Sequence, residues 1–274
     1  MPDSQVLSWL RTRFMPHIWC PGCGHGIIMH SIIRAFVALG KDRAQTVLAS
    51  GIGCSSRMAG YVNTCTLHST HGRSLAFSTG IKMQRPELTV VDVMGDGDCS
   101  AIGGNHFIHA CRRNIDITAI VMNNNIYGMT GGQASPTTPQ GAWASTTPYG
   151  DIDPPFDICR LAEGAGASYV ARTTIANPRQ AETFIMNGIK KKGFAVVEIV
   201  THCHTQFGRK NNRRLPIDNY NFFKAASVPL AKAKTMTPEE LAGKIVCGEF
   251  VDRDTPEYTE QYAGVIRKAR GERQ

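Results

Sequence analysis

Short apolar runs that end in glycine, aspartate or asparagine turns constrain this chain more than any other feature. Residues 46–50 (TVLAS) run into GIGCSS, residues 88–94 (LTVVDVM) into GDGD, and residues 117–122 (ITAIVM) into NNN. Between them lie segments with apolar residues at helical spacing. Residues 25–39 form one, closed by Gly40 as a C-cap; residues 74–84 form another, stopped by Pro86; residues 100–111 form a third. Strand and helix patterns resume over residues 156–163, 168–171, 178–192 and 195–200. Strands separated by helices predict an α/β fold, a parallel sheet covered by helices on both faces.

At 274 residues the chain has room for one sizeable α/β domain. Residues 124–155 form a long stretch rich in Gly, Pro, Thr and Ser. Such a loop in a compact domain is usually functional or covered by a partner. Beyond about Thr205 the periodicity weakens. Residues 1–204 therefore read as the domain, and residues 205–274 as an extension packing on it or on a partner. The apolar runs are too short to span a membrane, and residues 1–14 lack the apolar core of a secretion signal, which predicts a cytoplasmic protein. The net charge of +8 suits an acidic partner or phosphorylated ligand. Its densest patch is Arg209, Lys210, Arg213 and Arg214, and no nucleic-acid motif accompanies it.

Two motifs carry the most chemistry. Gly95-Asp96-Gly97-Asp98 closes one strand, and Asn123-Asn124-Asn125-Ile126-Tyr127-Gly128 closes the next. Ligands of open parallel sheets bind at that carboxyl edge. The glycines beside Asp96 let backbone approach a phosphate, and the N–H groups of the following helix start favour an anion. Mg²⁺ takes oxygen ligands and bridges to phosphates. Asp96, the Asn124 amide and the Ile126 carbonyl can supply three.

The cysteines form a second constellation. The count of nine is odd, which argues against a disulfide framework. Trp19-Cys20-Pro21-Gly22-Cys23-Gly24 holds a CxxC, Cys54 follows in Gly51-Ile52-Gly53-Cys54-Ser55-Ser56, and Cys203 stands in Thr201-His202-Cys203-His204. Four thiolates from separate loops suit a 4Fe–4S cluster, and by spacing they suit zinc nearly as well. Cys65 and Cys99 are nearby alternatives.

These motifs resemble those of the thiamine diphosphate-binding β subunits of 2-oxoacid:ferredoxin oxidoreductases, over roughly residues 15–210. The GDG and Asn-rich pair is similar to the motif of thiamine diphosphate enzymes. The loop from Tyr127 to Thr138 is similar to the YxxTGGQxSPTT loop of this family, and Leu67-His68-Ser69-Thr70-His71-Gly72-Arg73 to its LHTxHGR segment. The resemblance implies the thiamine diphosphate-binding fold and three cofactors: thiamine diphosphate, Mg²⁺ and one 4Fe–4S cluster on Cys20, Cys23, Cys54 and Cys203. It implies that Thr130 approaches the diphosphate. It gives His71 the same role, against the bland reading of a histidine bonded to backbone. Ile52, Gly53 and Cys54 can reach both centres, and Asp98, Tyr127 and Gly128 belong to the cofactor loops.

The implied reaction is oxidative decarboxylation of a 2-oxoacid with coenzyme A, electrons passing to ferredoxin. The expected assembly pairs the chain with an α subunit, as a dimer of αβ heterodimers. The resemblance is closest to members that use 2-oxoglutarate, with pyruvate or broad specificity as the alternative, and a non-catalytic, zinc-stabilised subunit as another. Arg57 stands three residues beyond Cys54, where its guanidinium could meet a substrate carboxylate or pair structurally with a carbonyl or Asp98. His68 and Arg73 are further candidates. The first 160 residues hold a single glutamate, Glu87, poorly placed to activate thiamine, so the activating glutamate is expected from another subunit.

Overall fold

A computed structural model describes residues 3–272; Met1, Pro2, Arg273 and Gln274 lie outside it. In chain order the elements are α1 (Asp3–Ser8), α2 (His25–Ala38), β1 (Thr46–Ser50), β2 (Cys65–His68), α3 (Ser74–Gln84), β3 (Thr89–Gly95), α4 (Gly104–Arg113), β4 (Thr118–Asn123), α5 (Ile158–Ala165), β5 (Tyr169–Thr174), α6 (Pro178–Lys190), β6 (Ala195–Val200), α7 (Pro216–Ala226), β7 (Ser227–Pro229), α8 (Leu230–Ala233), α9 (Pro238–Leu241), β8 (Ile245–Asp252) and α10 (Tyr258–Ala269). The eight strands form one sheet in the order β2-β1-β3-β4-β6-β5-β8-β7. Every pairing is parallel except β5 with β8.

The two faces of β4 show why its apolar run is continuous. Ile120 and Met122 pack with α2 and α6 residues Ile28, Ile32, Phe36, Phe184 and Ile185. Ala119 and Val121 pack on the other face with Phe107, Cys111, Ile158 and Ala162 of α3–α5's layer. Side chains alternate along a strand, so a strand covered on both faces must be apolar throughout. Gly40 takes φ +60° just after α2, as the C-cap reading requires.

Three features of the fold follow. The predicted helix over residues 100–111 is split: Asp98–Ile102 forms a π turn and α4 starts at Gly104. Single π turns are a common way of re-aiming residues at a site. The loop over residues 124–155 contains no helix and no ladder strand, yet Ser135, Thr137, Thr138, Ala144 and Asp151 are buried in it. The segment after residue 204 contributes β7 and β8, which continue the sheet beyond β5. No helix among the described residues is long and apolar enough to cross a membrane.

Candidate functional site

The carboxyl ends of β1, β3, β4 and β6 feed loops that meet at one edge of the sheet, which is where a parallel sheet leaves its strand-end groups free. Of the cavities that open there, two are lined by the residues singled out in the sequence. The first is lined by Ile52, Gly53, Cys54, His71, Gly95, Asp96, Gly97, Asp98, Asn124, Ile126, Tyr127, Gly128 and Thr130, together with His25, Ser55, Met122 and Met129. Thus every residue expected at the diphosphate reaches one cavity.

Asp96 is 2% exposed. Its Oδ2 accepts the hydroxyls of Ser135 (2.5 Å) and Thr137 (2.6 Å), while Oδ1 has one long contact, the Asn124 N–H at 3.4 Å. Burial pushes its pKa up, and the two hydroxyls oppose that rise. Asn124 Oδ1 accepts the Ile126 N–H at 3.3 Å and keeps a second lone pair. Among the described residues, no hydrogen bond ends on the Ile126 carbonyl. Asp96 Oδ1, Asn124 Oδ1 and the Ile126 carbonyl are therefore three under-used oxygens on one rim. That donor set fits a hard cation such as Mg²⁺.

Asp98 is an anchor for the neighbouring loops. Its Oδ1 accepts the Gly72 N–H at 2.6 Å and the Ile52 N–H at 3.4 Å. His71 Nδ1 stands 2.8 Å from the same oxygen, outside good hydrogen-bond alignment. His71 is thereby held at the cavity wall with its ring 6.0 Å from that of Tyr127. Gly97 answers to a close approach: a Cβ there would lie 2.3 Å from the Tyr127 ring. Thr130, at the rim, gives its hydroxyl to Gln133 Oε1 at 2.5 Å.

The second cavity, of about 310 Å³, is lined by Cys20, Cys23, Cys54 and Cys203. A Cβ placed at Gly128 would lie 3.0 Å from Cys203 Sγ and 4.0 Å from Cys54 Sγ. The Thr205 hydroxyl lies 3.5 Å from Cys203 Sγ and 3.9 Å from Cys20 Sγ. Backbone contacts frame the set. Trp19 Nε1 donates to the Cys54 carbonyl at 2.6 Å, His202 Nε2 lies 3.1 Å from the Gly22 carbonyl, and Cys23 N–H closes a turn on the Cys20 carbonyl. Burial pushes the Cys23 thiol up to about 12 and the Cys54 thiol up to about 11, with the neighbouring cysteines adding to the rise. His25, Cys54, Asn124, Gly128 and Met129 line both cavities.

The remaining candidates lie elsewhere. Arg57 is exposed on the 3-10 turn Ser55–Gly60 and lines neither cavity; no hydrogen bond links it to Asp98 or to a carbonyl among the described residues. His68 ends edge strand β2, and Arg73 donates to the Ile102 carbonyl at 2.7 Å. Cys65 is exposed on β2, and Cys99 is a buried member of the π turn, packed into the core. Glu87 is exposed and paired with Arg85. Sequence reasoning missed Ser135 and Thr137 as partners of Asp96. Their SPTT context was visible, but not the return of that loop across some forty positions.

Comparison with known proteins identifies the family. Residues 51–199 match the family model of the thiamine pyrophosphate enzyme, C-terminal TPP binding domain. The chain is 53% identical over 267 residues to the 2-oxoglutarate synthase subunit KorB of Methanocaldococcus jannaschii, covering 97% of this chain and 99% of that one. It is 44% identical over 185 residues to the 2-oxoglutarate oxidoreductase subunit KorB of Mycobacterium tuberculosis, covering 68% of this chain and 50% of that one. A solved 2-oxoglutarate:ferredoxin oxidoreductase from Magnetococcus marinus, with 2-oxoglutarate, coenzyme A and succinyl-CoA bound, matches with a TM-score of 0.86 and 33% identity, over 100% of this chain and 93% of that one. With its thiol-lined cavity beside a thiamine-type diphosphate loop, the chain belongs to the family of thiamine diphosphate-binding β subunits of 2-oxoacid:ferredoxin oxidoreductases.

Proposed function

We propose that this chain, together with an α subunit, oxidatively decarboxylates 2-oxoglutarate with coenzyme A to succinyl-CoA and CO₂, passing electrons to ferredoxin through a 4Fe–4S cluster. The observation that carries this reading is the wall shared by the two cavities, in which Cys54, Asn124 and Gly128 face both the diphosphate loops and the space lined by the other three thiols.

Thiamine diphosphate, when bound, supplies the nucleophile and electron sink for loss of CO₂ from a 2-oxoacid. The chain's own groups bind and orient. Asp96, Asn124 and the Ile126 carbonyl would hold Mg²⁺ at the diphosphate. The backbone around Gly95 and Gly97, with His71 and Thr130, would complete the anion's surroundings. Cys20, Cys23, Cys54 and Cys203 would hold the cluster, whose iron would compensate the thiolate charge that burial disfavours. Cys20 is exposed at the mouth of that cavity, which suits electron exit to a docked ferredoxin. The net charge of +8 would speed encounter with an acidic one. No glutamate lines either cavity among the described residues. The group that activates the aminopyrimidine would then come from the α subunit, in the proposed dimer of αβ heterodimers. Arg57, solvent-facing just beyond Cys54, would meet a carboxylate of a substrate bound between subunits. Nine free cysteines suit the reducing cytoplasm.

The test is iron, sulfide and zinc analysis of anaerobically purified αβ complex, with turnover of 2-oxoglutarate and pyruvate. One 4Fe–4S cluster per chain, and a preference for 2-oxoglutarate weakened by Arg57→Ala, are expected. Stoichiometric zinc without sulfide would overturn the electron-transfer role, and a preference for pyruvate would overturn the substrate.

A further inference from the structure

We propose that Asn123 and Glu198 are positioning residues for Asp96, acting through the Thr137 hydroxyl to set how tightly Mg²⁺ and the diphosphate are held. This rests on the proposed reading of the Asp96 rim.

The four residues come from two strands, the turn after β3 and the long loop, and all are buried: Glu198 2%, Asn123 5%, Thr137 3% and Asp96 2% exposed. Glu198 sits in the middle of β6, opposite Val121 of β4. Its Oε2 is engaged by Arg172 Nε at 2.6 Å and approached by Cys159 Sγ at 3.3 Å. Asp157, Cys159 and Glu198 bring ligand-type atoms together, but the Arg172 guanidinium already stands there, 2.5 Å from Asp157 Oδ1. The site of positive charge is taken, so the cluster acts as a fixed post for what lies next to it.

What lies next to it is Asn123. Its Nδ2 donates to Glu198 Oε1 at 2.8 Å. A carboxylate only accepts, so this contact decides which way the amide faces. Asn123 Oδ1 is thereby turned to the other side, where it accepts the Asn125 N–H at 3.0 Å and lies 3.0 Å from Thr137 Oγ1. The single hydroxyl hydrogen of Thr137 faces two acceptors, Asn123 Oδ1 and Asp96 Oδ2, the latter at 2.6 Å. With Ser135 on the same oxygen, Oδ2 is fully taken and Oδ1 is left toward Asn124 and the rim. A buried chain of contacts thus runs from the Arg172–Glu198 pair through Asn123 to the Thr137 hydroxyl, which divides its one hydrogen between Asn123 Oδ1 and the carboxylate that would meet the metal. Groups that orient a metal ligand in this way change metal affinity without touching the ion.

The experiment uses the assembled αβ complex, stripped of Mg²⁺ and thiamine diphosphate by chelation. Mg²⁺ is titrated calorimetrically at saturating thiamine diphosphate, so the readout is affinity and not turnover. Asn123→Ala and Thr137→Val are each expected to weaken Mg²⁺ by about tenfold to a hundredfold. The double variant is expected to be no weaker than the worse single, because both cut the same relay. Glu198→Gln should weaken Mg²⁺ in the same sense, and Thr137→Ser should restore wild-type affinity. The inference is overturned if Asn123→Ala binds Mg²⁺ like the wild type, or if the losses multiply in the double variant. Should Glu198→Gln fail to assemble, the Asn123 and Thr137 cycle decides, since it leaves the Arg172–Glu198 pair intact. Asp96→Asn separates the two levels. Unchanged affinity in that variant would sink the reading of the rim itself, whereas weak Asp96→Asn with normal Asn123→Ala would sink the relay alone.

Discussion

The two cavities at the sheet edge are built on opposite principles. Around Asp96, side chains hold side chains: two hydroxyls engage one carboxylate oxygen, and the other, with a single long contact from the Asn124 N–H, is left poised. Around the cysteines, backbone and aromatic groups hold the loops, while the sulfurs themselves touch little beyond one threonine hydroxyl. The first cavity is organised before its ligand arrives. The second gathers four thiols and disfavours their ionised form, as the raised Cys23 and Cys54 values reflect, a penalty on the thiolates that a metal centre would offset. A ligand that exchanges readily needs a pre-shaped site, whereas a resident cluster can be part of the fold.

The largest expected effect comes from breaking the second cavity alone. Cys23→Ala should cost the αβ complex its cluster, and ferredoxin reduction should fall by roughly a hundredfold or more, on the scale of losing an essential group. Mg²⁺–thiamine diphosphate affinity should move less than about twofold, because Cys23 lines only the thiol cavity. Iron analysis beside cofactor titration checks both halves. Loss of cofactor binding with the iron would show that the two cavities are not separate constructions.

Gly97→Ala probes the first cavity in return. Gly97 has an ordinary helical φ of −70°, so the backbone tolerates alanine, but the new Cβ meets the Tyr127 ring at 2.3 Å. Tyr127 must swing from its hydrogen bond to the Gly97 carbonyl. A stability loss of about 1–3 kcal/mol is expected. Cofactor affinity should weaken by on the order of tenfold to a hundredfold through displacement of the rim. Iron content should stay at the wild-type level. Thermal unfolding, thiamine diphosphate titration and iron analysis read the three outcomes, and iron loss would contradict the separation.

What was legible beforehand follows from how strongly burial writes itself into sequence. β1, β3, β4 and β6 are buried on both faces, so their apolar runs and terminal turns place them within a residue. β2 is an edge strand whose four residues are exposed or half-buried, and β8 pairs antiparallel with β5 with only two of its eight residues buried; neither carries a clean period. At the site, Asp96, Asn124 and the cysteines announce themselves through residue type beside a turn. Ser135 and Thr137 do not, because nothing local says that a Gly- and Pro-rich loop folds back over Asp96. Asp98 illustrates a further limit. Its motif points to the cofactor, but only coordinates reveal that Gly72 and Ile52 occupy its Oδ1.

The smallest effect on either cavity should come from Asp92, four residues before Asp96 on β3. It is fully buried, and burial pushes its pKa from 3.8 up to about 7; Ser78 and Ser74 oppose the rise and Asp98 adds to it. Ser78 donates to Oδ2 at 2.6 Å, and Oδ1 has no partner. Because the folded value lies above the unfolded one, the favourable contribution of the neutral acid is complete below about pH 4. It is lost as pH rises towards 7. Asp92→Asn keeps an acceptor for Ser78 and removes the ionisation. The variant should gain stability over wild type by on the order of 2–4 kcal/mol at pH 8, and show little gain near pH 4. Denaturant unfolding across that range checks the sign, and an equal gain at both pH values would mean that packing, not charge, limits this position. Mg²⁺ affinity and iron content should not change, since Asp92 lines neither cavity. β3 and the turn that follows it would then carry two buried aspartates with opposite demands, one better neutral in the core and one held ready at the edge by hydroxyls.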